Sequence, residues 1–207
     1  MVLVSHEQNE LTVRLHPGEV PDFFPDALGL GSMPNGTVTP GISNIRHGNY
    51  GDIDQLHSLV RCCIEAMRAI GIDQWDDVYP TRSDHVHDIQ SGTLYVVTAA
   101  NQTIVGSLVL NDKQEPEYSL VKWTIQKSRV AVVHRLMVHP SYQRHGIARQ
   151  LMQFAENRAS ELDFGAIRLD AFIANPAALR LYASLGYQVA GTVMFRKGPF
   201  HCFEKGL

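Results

Sequence analysis

Cysteine is scarce in this chain, and its placement excludes two common structural uses. Cys62 and Cys63 are adjacent, and Cys202 lies far from both. An odd number of cysteines without C-x-x-C spacing argues against a disulfide framework and against a structural zinc site. On a helix, consecutive side chains point about 100° apart, so Cys62 and Cys63 would not easily bind one metal ion. We therefore expect three reduced cysteines in a cytoplasmic protein, and no metal.

Long apolar runs are missing as well. No stretch approaches the roughly 18 apolar residues of a membrane span, and Met1–Glu10 lacks the basic start and the long apolar core of a signal peptide. Charge of one sign is not in excess, because the formal net charge is only -3, whereas a general nucleic-acid binder usually presents a basic surface. These absences predict a soluble, intracellular protein with neither a membrane nor a nucleic acid as its partner.

The apolar content is that of a globular protein. Hydrophobic residues make up 44% and charged residues 19% of the 207 positions, which is enough for a core and fits one domain. Proline and glycine are concentrated near the N-terminus, with five of each between positions 17 and 41. We interpret residues 1–40 as an extension with little regular structure of its own, and residues 41–207 as one folded domain.

The hydrophobic pattern of that domain alternates between helical and strand-like spacing. Apolar residues three and four apart predict helices at 52–70, 146–162 and 176–185, with a weaker helix at 83–91 that Ser83 would cap. Runs rich in β-branched residues predict strands at 42–46, 94–98, 103–110, 121–125, 130–138, 166–172, 187–195 and 200–203. Elements interleaved in this way predict an α/β (α+β) fold in which helices flank a mixed central β-sheet.

The segment His134–Arg149 combines a strand, a short loop and a helix that begins near Gly146. The first turn of a helix has backbone N–H groups without partners and a partial positive charge, which suits a phosphate. Gly146 has no side chain and Ala148 has a small one, so a phosphate can approach the backbone closely. Positive or titratable side chains lie at the same end, namely Arg144, His145 and Arg149.

Two motifs together point to a family. The P-loop pattern G-x-x-x-x-G-K-[ST] and the dinucleotide pattern G-x-G-x-x-G are both absent. Instead Gln143–Ala148 matches Q/R-x-x-G-x-G/A, and Leu169–Tyr187 contains N-x-x-A-x-x-L-Y-x-x-x-G-[FY] after a strand. With these motifs the chain resembles the GNAT superfamily of N-acetyltransferases, in particular small bacterial-type members. The resemblance covers about 42–203 and implies a GNAT-type mixed central β-sheet flanked by helices.

The resemblance implies acetyl-CoA as co-substrate and assigns residues to it. In the superfamily, the backbone amides of the first motif hold the coenzyme A pyrophosphate, and the preceding strand hydrogen-bonds the pantetheine arm. The pyrophosphate loop would be Gln143, Arg144, His145, Gly146, Ile147, Ala148 and Arg149, and the strand residues would be Leu136, Met137 and Val138. Asn175 would bind the pantetheine arm as well as cap the helix that follows it.

Acyl transfer needs an acid, a group that polarises the carbonyl, and a base. The resemblance places the acid at Tyr182, whose phenol would protonate the coenzyme A thiolate. A backbone N–H in a bulge at Met137–Val138 would polarise the thioester carbonyl. The base stays open between Glu117, His134, Glu204 and a water relay.

The segment 71–82 is the candidate acceptor end. Its acidic side chains are Asp73, Asp76 and Asp77, which would attract a cationic amine. The alternative is an ordinary acidic loop with Trp75 packed inward. His85 and His87 have the spacing of a metal pair but no further ligands, so we assign no metal there.

These inferences combine into a prediction of function. The chain is expected to be an acetyl-CoA-dependent N-acetyltransferase that works by direct transfer in a ternary complex, with a small-molecule or peptide amine as acceptor. One alternative is a non-catalytic acyl-CoA-binding sensor domain on the same fold, and another is an interaction module without coenzyme A affinity. Tyr182 favours the enzyme, because a binder needs no acid at that position. A homodimer is left open.

Overall fold

Seven strands form one continuous sheet in the computed structural model, which describes residues 45–207. The strands are β1 Arg46–His47, β2 Leu94–Thr98, β3 Ile104–Asn111, β4 Val130–Val138, β5 Ala166–Phe172, β6 Gln188–Phe195 and β7 Gly198–Gly206. Their spatial order is β1-β2-β3-β4-β5-β7-β6. The prediction for residues 1–40, and most of the strand predicted at 42–46, lie outside the described residues.

Four α-helices flank the sheet, namely α1 Ile53–Ala69, α2 Arg82–Gln90, α3 Ile147–Glu161 and α4 Pro176–Ser184. The mixed sheet with flanking helices confirms the predicted fold class. Short 3-10 turns lie at Tyr50–Asp52, Pro116–Leu120 and Pro140–Tyr142. Between residues 45 and 207, no helix is long and apolar enough to cross a membrane.

The strands β4 and β5 are parallel neighbours that pair over only three residues. Val130, Ala131 and Val132 lie opposite Ala166, Ile167 and Arg168, whereas every other neighbouring pair in this sheet is antiparallel. The connection between β4 and β5 runs through α3, as a parallel pair requires. Beyond this short ladder the two strands part, so 133–138 and 169–172 border a gap in the sheet.

Strand alternation divides the core between the two faces of the sheet. One face packs on α3 and α4, and the core between them includes Tyr95, Val97, Leu169 and Phe203 of the sheet and Leu151 of α3. The other face is covered by α1 over the first strands and by the segment 112–129 over the last ones, where Tyr118 packs with Cys202. The gap between β4 and β5 therefore lies where the two coverings of this second face meet.

The helix α2 begins two residues earlier than Ser83 would place it. Its N-cap is Thr81, whose Oγ1 accepts from Asp84 N at 3.3 Å while the Asp84 carboxylate accepts from Thr81 N at 2.7 Å. This reciprocal capping box needs an acceptor side chain three residues after the cap. Thr81 has that partner, so the prediction of Ser83 as N-cap is wrong.

The strand predicted at 121–125 is not formed. The segment instead follows the 3-10 turn at 116–120, and its backbone binds a side chain rather than a strand. The carboxylate of Glu204 on β7 accepts from Thr124 N at 2.8 Å, from Thr124 Oγ1 at 2.6 Å and from Ile125 N at 3.1 Å. Because the buried carboxylate satisfies these amides, the segment is held against the sheet without joining it.

Candidate active site

The loop before α3 presents a row of free backbone amides. Arg144 and Gly146 both have positive φ, at 64° and 81°, and alternation of this kind turns successive N–H groups toward one concave surface. Among residues 45–207, no hydrogen-bond acceptor lies within reach of the amides of 144–149. Together with the dipole of a 15-residue helix, these free amides have the geometry and partial charge that suit an anion.

Gly146 is required by conformation and leaves open space beside it. Its φ of 81° is one that L side chains rarely adopt, and a Cβ built there would meet nothing within 4 Å. The space next to the backbone is therefore free for a ligand, which fits the expected approach of a phosphate. Any side chain at this position would occupy that space and strain the backbone.

The side chains of this loop divide into free and engaged groups. Arg144 and His145 are exposed to solvent, while Arg149 Nη2 donates to Ser184 Oγ at 2.7 Å. Gln143 Nε2 donates to the carbonyl of Val138 at 3.3 Å and so ties the loop to the end of β4. Ile147 is buried and anchors α3 in the core. Only the backbone of Ile147 is available to a ligand. The next residue, Ala148, is small and half-buried.

The end of β4 turns peptide groups toward the gap. His139 N donates to Val105 O on the β3 side at 2.8 Å, so by alternation the amide of Val138 points toward the β5 side. The bulge in β4 lies at Arg135–Leu136, where Arg135 has a φ of 49°. The bulge therefore lies two residues before its predicted position at Met137–Val138. Leu136 directly follows Arg135, the residue with positive φ.

Asn175 and Tyr182 both come from the segment that follows β5. Asn175 Oδ1 accepts from Ala178 N at 3.2 Å, as predicted for a cap, and its Nδ2 donates to Gln74 Oε1 at 3.1 Å. Tyr182 is buried, and its ring contacts Phe203 at a centroid distance of 5.6 Å. Burial, and then the charge of Asp170, raise the pKa of the Tyr182 phenol above its ordinary value.

The segment between α1 and α2 is tied to the turn between β6 and β7. Arg196 makes two hydrogen bonds of 2.8 Å to Asp76, and Lys197 reaches Asp73 at 2.7 Å and Asp76 at 2.8 Å. The hydrogen bonds from Arg196 and Lys197 lower the pKa of the Asp76 carboxyl. These ion pairs neutralise the charges of Asp73 and Asp76. The expectation that these two carboxylates attract a cationic amine is therefore wrong. Trp75 packs inward against the α1 side of the core.

His134 on β4 faces the segment 112–129 with a defined tautomer. Its Nε2 lies 3.0 Å from Asn111 Oδ1 and 3.1 Å from Lys113 O. Since both are acceptors, Nε2 carries the proton. Nδ1 then keeps a lone pair and lies 3.9 Å from Glu115 Oε1. Burial, helped by the charge of Arg135, lowers the pKa of His134 to about 4, so the ring is neutral near pH 7.

A carboxylate that the sequence interpretation missed lies on β5. Tyr118 Oη donates to Asp170 Oδ2 at 2.8 Å, and Tyr118 also lines an open cavity of about 360 Å³ together with Glu115, Trp123 and Arg168. Burial raises the pKa of Asp170 to about 6, with the hydrogen bond from Tyr118 opposing and the charge of Glu115 assisting. An acidic residue within an otherwise largely apolar strand was the available signal.

The other acidic base candidates differ from Asp170. Glu204 is 1% exposed, and three hydrogen bonds from the 121–125 segment engage its carboxylate. Glu117 is half-buried on the 3-10 turn, and its side chain makes no hydrogen bond within the described part of the chain. The hydrogen bonds therefore give Glu204 a structural role, whereas none of them positions the Glu117 carboxylate.

The histidine pair on α2 does not converge. His85 is fully buried, whereas His87 Nε2 lies 3.1 Å from Lys113 Nζ. In the 45–207 region, no group of three or more His, Cys, Asp and Glu side chains is arranged to hold a metal ion.

Comparisons with known proteins bear directly on this site. The family model of the acetyltransferase (GNAT) family matches residues 59–187, a range that contains both motifs and the gap between them. The chain belongs to the GNAT family. It is thus an acyltransferase by family, and the predicted resemblance is confirmed. The comparison with curated proteins gives no match.

Solved structures show the same GNAT fold. A candidate acetyltransferase from Staphylococcus aureus MU50 is 26% identical with a TM-score of 0.64, covering 79% of this chain and 99% of its own. A GNAT-family acetyltransferase from Streptococcus agalactiae 2603 is 24% identical with a TM-score of 0.70, covering 80% and 95%. YncA from Salmonella typhimurium, a candidate acetyltransferase solved with its cofactor acetyl-CoA, is 16% identical with a TM-score of 0.58, covering 79% and 93%.

Proposed function

We propose that this GNAT protein transfers the acetyl group of acetyl-CoA to a primary amine by direct transfer in a ternary complex. The observation that carries the proposal is the continuity between two features. The gap bordered by 133–138 of β4 leads to the loop whose amides 144–149 have no acceptor in the described structure. A linear thioester with a pyrophosphate at its far end has the shape and charge for such a site.

The pyrophosphate would lie on the free amides before α3. Open space beside Gly146 and the helix dipole support this placement. Arg144 and His145 are exposed at the same end, and Arg144 would add a mobile positive charge to the anion site. Arg149 would contribute mainly through its backbone amide, since Ser184 engages its guanidinium.

The pantetheine arm would lie along the free edge of β4. The amide of Val138 points toward the gap, and the peptide groups of the bulge follow the left-handed Arg135. When the cofactor binds, Asn175 would release Gln74 and donate to the pantetheine arm instead. Its Oδ1 is engaged in capping α4, so Nδ2, which now donates to Gln74, is the group that can serve the arm. Cofactor binding and the α1–α2 segment would therefore be coupled through this one contact.

Acetyl-CoA supplies an activated carbonyl and a thiolate leaving group. The backbone amides at the end of β4 would polarise the carbonyl oxygen. Tyr182 would donate its phenolic proton to the departing sulfur. Burial keeps the phenol protonated at neutral pH, and its hydroxyl makes no hydrogen bond to any residue between 45 and 207, so its proton is available. Holding both reactants in the gap supplies proximity without a covalent enzyme intermediate.

The proposal is tested first by calorimetric titration of the full chain with acetyl-CoA. The Gly146→Glu variant should lose binding, because a side chain and a negative charge would enter the anion site. Gly92→Glu is the matched control, since Gly92 also has positive φ, at 66°, and a Cβ added there would meet nothing within 4 Å. Equal loss in both variants would mean that strain alone abolishes binding and would count against the site.

Turnover is then measured as release of free thiol with a panel of primary amines. Acetylation of an amine together with binding at Gly146 supports the enzyme. Tight binding without turnover on any amine would support the acyl-CoA sensor, and absence of binding in the parent protein would overturn both.

A further inference from the structure

Asp170 occupies a particular position in the sheet. It lies two residues beyond Arg168, the last β5 residue paired with β4, so it borders the gap. Its neighbours Leu169 and Ala171 belong to the core on the α3 and α4 face, and strand alternation therefore turns Asp170 to the opposite face. That face carries the cavity lined by Glu115 and Tyr118, away from α3 and its anion-binding loop.

The carboxylate of Asp170 is held in one orientation. Tyr118 donates to Oδ2 at 2.8 Å, while Oδ1 has no hydrogen-bond donor in the described structure. Tyr118 is itself fixed, because it is 2% exposed and its carbonyl accepts from Trp123 Nε1 at 3.0 Å. One oxygen is thus anchored, and the other is left with its lone pairs free.

The charged and titratable groups around Asp170 come from several elements. Tyr118 of the segment 112–129 contacts it, and Cys202 of β7 lies opposite it in the sheet. Glu115 of the same segment and Tyr182 of α4 interact with it through charge. Glu115 also lies beside His134 of β4. The charge of Asp170 also raises the pKa of the Tyr182 phenol, so the carboxylate and the phenol, on opposite faces of the sheet, interact electrostatically.

We infer that Asp170 is the general base of the reaction and that Tyr118 is its positioning residue. This inference rests on the proposed amine acetylation. As the neutral amine forms the new C–N bond, Oδ1 of Asp170 takes a proton from the nitrogen. The C–S bond breaks with its electron pair going to sulfur, and Tyr182 protonates that sulfur. Asp170 then releases its proton to solvent and Tyr182 regains one, so each turnover restores both groups.

The other candidate bases are less suited to this step. His134 has a free Nδ1, but burial lowers its pKa to about 4 and makes it a weak acceptor of protons. Glu204 is engaged by three hydrogen bonds. The pKa of Asp170, about 6, is closest to the neutral range in which a general base works best.

The test is the pH dependence of kcat/KM in the full chain. The base must be deprotonated, so activity should rise as the pH passes about 6 and should be lost below it. Asp170→Asn keeps the shape of the side chain, and we expect it to lower kcat/KM by about 10²–10⁴-fold and to remove this acid limb. Ionisation of the amine substrate is the same for every variant, so a limb that moves belongs to the protein.

Two further variants should move the limb in opposite directions. Tyr118→Phe removes the hydrogen bond that lowers the pKa of Asp170, so the limb should move to higher pH. Glu115→Gln removes the charge that raises this pKa, so the limb should move to lower pH. Glu117→Gln, one residue before Tyr118, is the control and should leave the limb in place. An acid limb retained in Asp170→Asn, or unmoved in both flanking variants, would overturn the inference.

The failure of this inference can be told apart from failure of the proposed function. Acetyl-CoA binding should be unchanged in Asp170→Asn, because Asp170 does not belong to the loop before α3. If the parent protein acetylates amines but Asp170→Asn does so equally well, only the assignment of the base is wrong. Carboxyl ¹³C NMR gives a readout without turnover. Asp170 should titrate near pH 6, shifting up in Tyr118→Phe and down in Glu115→Gln, and an ordinary aspartate pKa would contradict the inference.

Discussion

The two ends of the gap between β4 and β5 are built in different ways. The end near α3 consists of backbone amides from one short stretch of chain, 144–149. The opposite end consists of side chains from distant segments, among them His134, Asp170 and the segment 112–129. A backbone site depends on local conformation, whereas a side-chain site depends on which segments the fold brings together. The first therefore leaves a motif in the sequence, and the second leaves almost none.

The largest effect is expected at Tyr182, the proposed acid. Tyr182→Phe removes only the hydroxyl, so acetyl-CoA binding should persist while kcat falls by about 10²-fold or more. The measurement is steady-state turnover across pH beside calorimetric binding. The control is Tyr142→Phe in the 3-10 turn at 140–142, which leaves the ring packed on the core. Unchanged turnover across pH would remove the acid from Tyr182 and leave the cofactor site intact.

A smaller effect is expected at Glu204, which holds the segment 121–125 against the sheet. Glu204→Ala leaves the partly buried amides of Thr124 and Ile125 without their acceptor, so the free energy of unfolding should fall by about 1–3 kcal/mol. Acetyl-CoA affinity should stay the same. The measurement is urea denaturation, with the exposed Glu161→Ala as control. Equal stability of the two variants would contradict the structural role of Glu204.

The stabilisation by Glu204 also has a predicted pH dependence. Burial alone would raise its pKa, but the hydrogen bonds from Thr124 and Ile125 outweigh burial and lower it. A carboxyl group with a lowered folded-state pKa contributes its full stabilisation above the unfolded value of about 4.3. That contribution should be lost as the pH falls through the folded value. Glu204→Ala should therefore lose less stability than the parent chain on acidification.

The smallest effect concerns the exposed ion pairs between the α1–α2 segment and the β6–β7 turn. Lys197→Ala should change the KM for the amine by less than about fivefold in either direction, since surface ion pairs contribute little. The change should shrink with added salt, because salt screens such pairs. The KM for acetyl-CoA should move less than that for the amine. A larger change in acetyl-CoA KM would show that the segment acts mainly on the cofactor end.

Sequence patterns predicted the elements whose signals are local. The β4 strand was predicted with its observed limits, and α3 and α4 within one residue or two, because hydrophobic period and Gly or Asn–Pro punctuation lie within the elements themselves. The segment 121–125 has the composition of a strand, but its amides bind Glu204, some eighty residues later in the chain. No local pattern contains that partner, so its strand prediction was wrong.

The sequence by itself determined the family and the shape of the loop before α3, because Gln143–Ala148 fixes that shape through Gly146 and a helix start. Only the tertiary structure decided what surrounds the reacting atoms. It neutralised Asp73 and Asp76 with cations from the β6–β7 turn, and it paired Asp170 with Tyr118 from 52 positions away. The physical reason is that a pKa or an ion pair depends on distance and burial in space, which spacing along the chain does not encode.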